Sequence, residues 1–308
     1  MRAPRARRSE LATPASSERM CEKAPSVGAD LVFLDLEDAC APSVKESARS
    51  IAVGALTGLD WGPTVRAVRI NGIETPWCHD DIIEVVTGAR DCIDVLIVPK
   101  ARSARDVWWV DVLLSQLEAK LGLDRPIGLE VLIEDADGLA NAVEIARSSE
   151  RLEALIFGAG DLSASLHARV DGNFDPLVEY PGDFWHFARA QVLTAARAGL
   201  VDAIDAPYPA YTDPEGYRRA AAAASALGFD GKWAIHPTQV PIAHEVFSPT
   251  PEEVAEAEAA MAAYREAEAG GVGAIGRDGR LVDAAHMRLA ANTLHKAALA
   301  ERFGPPSA

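Results

Sequence analysis

Gly128-Leu-Glu-Val-Leu-Ile-Glu134-Asp-Ala-Asp-Gly138, followed after a helical stretch by Leu155-Ile-Phe-Gly-Ala-Gly-Asp161, is the part of the sequence whose reading decides the fold. Each segment is a largely apolar run (127–133 and 154–157) that ends in polar residues. In a β/α repeat the two runs are neighbouring parallel strands, and Glu134 and Asp161 stand at their carboxyl ends. On a barrel that rim carries the chemistry. Two hard oxygen ligands, with the other positions left to water and substrate, suit Mg²⁺. Taken singly, each acid reads first as a solvated or helix-capping residue after a strand, and the metal reading rests on the pair and the rest of the chain.

Working outward, six further runs have strand character: 10–13, 31–36, 65–70, 93–98, 201–204 and 232–235. Several are almost wholly apolar, as parallel strands covered on both faces must be. Helix-period stretches lie between them at 17–24, 43–56, 80–89, 104–121, 138–148, 182–198 and 213–227. Eight strands alternating with helices predict a closed (β/α)₈ TIM barrel rather than an open sheet. The runs end in Asp35-Leu-Glu-Asp38, Arg69-Ile-Asn71, Pro99-Lys100, Glu134, Gly158-Ala-Gly-Asp161, Asp205-Ala-Pro207 and His236-Pro237, which places their polar residues on one rim.

After His236 the character changes. Thr250-Pro-Glu-Glu253 opens a helix with Thr as N-cap, Pro at N1 and Glu at N3, and Gly270-Gly271 stops it. Val272–Arg280 reads as a hairpin or mobile loop, and a last helix covers 283–301. The expected division is a barrel over residues 1–249 and a helical segment, 250–308, that serves as lid or oligomer contact.

The chain has 308 residues, 49% of them hydrophobic and only 6% aromatic, which suits helices packed on an aliphatic sheet with a sizeable core. A formal charge of −16 argues against nucleic acid and against an anionic membrane surface. No stretch is long and apolar enough to span a bilayer. The Arg-rich start, residues 1–8, lacks the apolar run of a signal peptide, and Ser9-Glu-Leu-Ala-Thr-Pro14 already reads as folded sequence rather than transit peptide. Cys21, Cys40, Cys78 and Cys92 show no paired spacing, so free thiols in a reducing cytoplasm are expected.

Arg69 leaves the third strand on the same rim as Glu134. Its guanidinium can pair with Glu37 or Asp38, polarise a carbonyl oxygen, or do both. Gly158-Ala-Gly160 exposes backbone N–H groups able to cradle an anion, or simply permits a tight turn. Lys100 is a rim partner for Glu37 or Asp38 before it is a Schiff-base lysine. His236 reads as a hydrogen-bonded structural residue before a base, and Trp185-His186 as packing. Asp283 reads as the first-turn acid of the last helix.

Taken together, Phe33-Leu-Asp-Leu-Glu-Asp-Ala39, Val68-Arg-Ile-Asn71 with Thr75-Pro-Trp77, Val98-Pro-Lys100, Leu132-Ile-Glu-Asp-Ala-Asp-Gly138, Phe157-Gly-Ala-Gly-Asp161 and Gly231-Lys-Trp-Ala-Ile-His-Pro237 resemble the citrate lyase β-subunit-like enzymes of the aldolase/citrate lyase superfamily. Val246-Phe-Ser-Pro249 and Asp278-Gly-Arg-Leu-Val-Asp283 extend the likeness into the tail, and it is strongest to the L-malyl-CoA/β-methylmalyl-CoA lyases. The resemblance implies a Mg²⁺ (alternatively Mn²⁺) on Glu134 and Asp161, with Arg69 stabilising a thioester enolate. It implies that Gly160 and the Asp161 backbone meet the carboxylate of an α-keto acid, and it places Ile235 and His236 beside the substrate. Asp283 acquires a second reading: an acid/base carried over a neighbouring subunit's site in a trimer or hexamer. One stretch departs from the family, which has Pro-Gly-Ser/Asn-Arg after the first strand. Here it is Pro14-Ala-Ser-Ser-Glu-Arg19, so Ser17 takes the place of a CoA-phosphate arginine. Arg19 is the expected substitute, and Lys23 matches the family's CoA-contacting lysine.

The implied activity is reversible cleavage of malyl-CoA or β-methylmalyl-CoA to glyoxylate and acetyl-CoA or propionyl-CoA, in the cytoplasm. A malyl-CoA or citramalyl-CoA thioesterase/lyase would use the same residues. A CoA-independent class II pyruvate aldolase usually carries His directly after Asp-x-Glu on the second strand, where this chain has Asp38. A non-catalytic CoA-binding subunit fits poorly with an intact Arg69, Glu134, Asp161 and Asp283.

Overall fold

Eight parallel strands close on themselves in sequence order: β1 (Ser9–Pro14), β2 (Leu31–Asp35), β3 (Val65–Arg69), β4 (Val95–Val98), β5 (Gly128–Ile133), β6 (Leu152–Phe157), β7 (Asp202–Asp205) and β8 (Gly231–Ala234), with β8 pairing back to β1. The expected barrel is what this computed structural model shows; it describes residues 5–303. Around the strands lie α1 (Glu18–Lys23), α2 (Lys45–Gly58), α3 (Cys78–Ala89), α4 (Ala104–Leu121), α5 (Ala136–Ala140), α6 (Ala142–Ala146), α7 (Ala159–Ser165), α8 (His186–Gly199), α9 (Pro214–Leu227) and α10 (Gln239–Phe247).

Strand alternation sorts the side chains. Phe33, Ala67, Ile97, Leu132, Ile156 and Trp233 fill the barrel, while Leu34, Val68, Leu96, Val131 and Leu155 face the helices. The floor is ionic. Arg7 is buried and pairs with Glu130 at 2.8 Å, with Asp202 at 3.1 Å and with Glu153, while Arg5 also reaches Glu153 and Arg8 clamps Asp30. Of the basic start, residues 1–4 lie outside the described residues; its arginines 5, 7 and 8 tie strand beginnings together.

Several sequence expectations need correcting. The helix expected over 138–148 is two short ones, interrupted at Asn141, whose φ of −98° and ψ of 10° leave the helical range. The Gly158-Ala-Gly160 turn continues into α7, and α10 forms despite Pro241. The expected helix at 182–198 begins only at His186, and His236 lies beyond the end of β8.

The tail runs outside the closed barrel: α11 (Pro251–Ala269), a hairpin of β9 (Ala274–Arg277) and β10 (Arg280–Asp283), then α12 (Ala284–Phe303). The capping box is present, since the Thr250 N–H donates to Glu253 Oε2 at 2.7 Å and Glu253 N–H donates to Thr250 Oγ1 at 3.2 Å. Helices α11 and α12 pack on each other, and Lys296 of α12 pairs with Asp230 at 3.2 Å, at the strand-beginning end of the barrel. No helix among the described residues is long and apolar enough to cross a membrane.

Candidate active site

The rim residues converge on a cavity of about 440 Å³ at the carboxyl ends of the strands, lined by Asp35, Asp38, Arg69, Glu134, Gly158, Gly160, Asp161, Phe174, Trp233 and Ile235 among others. Parallel pairing of β5 with β6 brings Glu134, one residue past β5, beside the turn that follows β6. That turn must be glycine at position 158. A Cβ there would fall 2.5 Å from the Glu134 Cβ and 2.8 Å from its Oε2. Asp161 stands in the first turn of α7, and the helix leaves its first backbone N–H groups without intrahelical acceptors.

Glu134 is 4% exposed, and its Oε1 accepts the Lys100 backbone N–H at 2.9 Å. Burial, with the negative charges of Asp161 and Glu37 nearby, pushes its carboxyl up to about 8 despite Arg69. Burial and the neighbouring acids make the ionised form of Glu134 costly, and a cation held there would offset that cost. Among the described residues no third His, Cys, Asp or Glu completes a metal-binding group with them. A pair of carboxylates leaving room for water and substrate fits Mg²⁺.

Arg69 does more than the sequence indicated. Its Nε and Nη2 donate to both oxygens of Asp35 at 2.7 and 2.6 Å, its Nη1 approaches Glu37 at 3.2 Å, and Asp38 is 4.0 Å away. Burial alone would lower the guanidinium pKa; Asp35 and Glu37 outweigh it and hold the group firmly protonated. The ring of Trp233 lies beneath it, 5.4 Å from the guanidinium carbon, and Phe33 is at 5.9 Å. Asp35 is thus a site residue that sequence reasoning passed over. The signal was strand register, because Asp35 is the direct pairing partner of Arg69 across β2 and β3.

Lys100 takes the rim role. Its Nζ lies 2.5 Å from Glu37, 3.4 Å from Asp38 and 3.7 Å from Asp161. Burial works against its charge, but the hydrogen bond to Glu37 and these carboxylates raise its pKa, so it stays an ammonium and is a poor amine nucleophile. Arg19 and Lys23 are exposed one turn apart on α1, next to the cavity-lining Met20, and neither side chain has an ion-pair partner among the described residues. Ile235 lines the cavity. His236 does not; it stacks on Tyr211 at 5.2 Å and bonds Thr238 at 2.8 Å. Trp185 packs edge-on against Phe157, and His186 is exposed.

Asp283 is not among the cavity-lining residues. It is half-buried, and its Oδ1 accepts the Ala285 N–H at 2.9 Å and bonds His286 Nδ1 at 2.8 Å, capping α12.

A family model, HpcH/HpaI aldolase/citrate lyase, matches residues 8–237, the span that holds the barrel and this cavity's strand-end residues. The chain belongs to this family. Among its curated relatives, an L-malyl-CoA/β-methylmalyl-CoA lyase of Cereibacter sphaeroides is 40% identical over 94% of both chains. A (3S)-malyl-CoA thioesterase of the same species is 38% identical over 96% of both. Among solved structures of the family, the CitE protein of Mycobacterium tuberculosis, crystallised with magnesium, acetoacetate and coenzyme A, superposes with a TM-score of 0.74. It is 30% identical, covering 94% of this chain and 97% of that one.

Proposed function

We propose that the protein is a Mg²⁺-dependent carbon–carbon lyase that splits malyl-CoA or β-methylmalyl-CoA into glyoxylate and acetyl-CoA or propionyl-CoA, and runs in reverse. The observation that carries this reading is the single cavity shared by buried Glu134, Asp161 and an Arg69 held rigidly by Asp35. Similarity to a named lyase along nearly the whole chain supports it.

In cleavage the bond between the hydroxyl-bearing carbon and the thioester α-carbon breaks. Its electron pair passes to the thioester as an enolate, and the hydroxyl gives its proton to water as the oxo acid forms, one proton lost there for the one the α-carbon gains. Glu134 and Asp161 would hold the cation. When bound, the cation supplies Lewis-acid polarisation of the hydroxyl or keto oxygen. Arg69 presents its N–H groups to the thioester oxygen where negative charge develops, and its bonds to Asp35 fix that aim before substrate arrives. The N–H groups at Ala159 to Asp161 take the keto acid's carboxylate. Lys100, paired with Glu37 and Asp38, keeps the rim between β2 and β4 closed around the cavity. Arg19 and Lys23 offer two unpaired cations to CoA phosphates at the α1 side. Asp283, carried on the tail of a neighbouring subunit in a trimer or hexamer, returns the proton to the α-carbon; with the barrel ending near Pro249, the segment from Thr250 acts as lid and contact. The protein works in the cytoplasm.

Incubation with Mg²⁺, glyoxylate and acetyl-CoA or propionyl-CoA, with adducts identified by mass, tests the lyase reading. Its rival, favoured by the similarity to the thioesterase, predicts free CoA and malate from malyl-CoA instead.

A further inference from the structure

Phe174 sits in the long connection between α7 and α8, in a backbone conformation that phenylalanine seldom adopts. Its φ is +64°. The connection holds it there. The Phe174 N–H donates to the Asp171 carbonyl at 3.1 Å. Asp171 Oδ1 accepts the N–H groups of Asn173 and Asp175 at 2.8 and 3.1 Å. From the other side the buried Trp185 indole donates its N–H to the Phe174 carbonyl at 2.8 Å. Left-handed backbone at a non-glycine residue persists only where the surroundings over-determine it.

What this conformation achieves is the placing of a ring. The Phe174 side chain lies on Gly160, so close that a Cβ at 160 would meet the ring at 3.0, 3.4 and 3.7 Å. Ring and turn together form the wall of the cavity on the Glu134–Asp161 side, where Pro207 joins them. Pro14, Met20 and Ile235 also line the cavity, and Met20 lies on α1 between Arg19 and Lys23. Where the Phe174 ring meets Gly160, the cavity is walled by an aromatic ring packed against backbone.

We propose that Phe174 is a specificity-determining residue that limits the keto acid to one without an alkyl substituent on its oxo carbon, glyoxylate rather than pyruvate. The inference rests on the lyase reading. A wall that excludes one methyl group from an apolar pocket discriminates by about 10- to 200-fold.

The test compares kcat/KM for glyoxylate and pyruvate in the condensation direction with acetyl-CoA, using the wild type, Phe174→Ala and Phe174→Leu. Calorimetric affinities for the two acids in Mg²⁺ provide a second readout. Both substitutions keep a Cβ and so leave the backbone requirement unchanged; Leu removes less volume and serves if Ala fails to fold. The expected result is a glyoxylate-to-pyruvate ratio that falls by roughly 10-fold or more in the Ala variant and by less in Leu, with pyruvate affinity rising. An unchanged ratio in soluble, active variants overturns the inference and leaves the lyase reading standing. So does a weakened KM for acetyl-CoA with an unchanged ratio, which would put the ring on the thioester side. A wild type that makes no adduct with glyoxylate removes both readings.

Discussion

Substituting Asp35 by Asn keeps the side chain's shape and removes the charge that clamps Arg69. Asp35 is 2% exposed, and its carboxylate accepts four hydrogen bonds: two from Arg69, one from the Glu37 N–H at 2.9 Å and one from the Ala39 N–H at 3.1 Å. Removing one partner of a buried ion pair costs about 3–5 kcal/mol, because the other charge is left buried and unmatched. Glu37 lies 3.2 Å from the remaining guanidinium nitrogen, so the lower end of that range, about 3 kcal/mol, applies here. At roughly 2–4 °C per kcal/mol for a large domain, the melting temperature should drop by about 6–12 °C. Turnover should fall on the order of 10²-fold, the usual result of a group displaced by about an ångström. The decisive comparison is a cycle with Arg69→Met and the double variant, followed by urea unfolding. With both charges gone, no unmatched buried charge remains, so the double variant should be more stable than the sum of the single losses indicates, yet stay inactive. Single effects that add within about 0.5 kcal/mol would show the two residues to be uncoupled, and the clamp would be wrong.

Asp161→Ala should abolish Mg²⁺-dependent turnover with little change in melting temperature; activity that persists in that variant, or in excess chelator, would end the metal assignment. Arg69→Lys should lose on the order of 10²–10³ in kcat, since a point charge cannot reproduce the fork that engages Asp35, and normal turnover would refute the role. Asp283→Ala and Asp161→Ala, each inactive, should restore partial activity when mixed under conditions of verified subunit exchange; no recovery, or a fully active monomer, would return Asp283 to helix capping alone. Glu10→Gln addresses the barrel floor, where Glu10 Oε1 and Glu130 Oε2 are buried without hydrogen-bond partners. Burial, and then the charge of Glu130, raise the Glu10 carboxyl well above its usual value. A carboxyl raised in the folded state stabilises fully below its unfolded value, roughly 4.3, and that stability declines as pH climbs toward the folded value. The Gln variant keeps an acceptor for the Trp233 N–H and offers an N–H to Glu130, so unfolding free energies measured across the neutral range should decline less with pH than in the wild type.

Strand runs, helix periods and the polar rim were legible in the sequence because each depends on local order. An apolar run buried on both faces needs no knowledge of its neighbours, and alternation along the chain implies the barrel. Glu134, Asp161 and Arg69 were therefore found as strand-end residues, and Lys100 as a rim partner for Glu37 or Asp38. Short-range helix signals failed where glycine or proline hid them, as at α7 and α10. What tertiary structure alone decided were contacts between residues distant in sequence. Asp35 becomes the clamp of Arg69 only through the register of β2 on β3. Phe174 becomes a cavity wall only because Asp171 and Trp185 bend an otherwise featureless connection onto Gly160. Arg7, read as part of a basic start, is the buried centre of the floor once closure of the barrel gathers Glu130, Glu153 and Asp202 around it. Burial of a charge and the identity of its partner are properties of packing, and no pattern within a single segment encodes them.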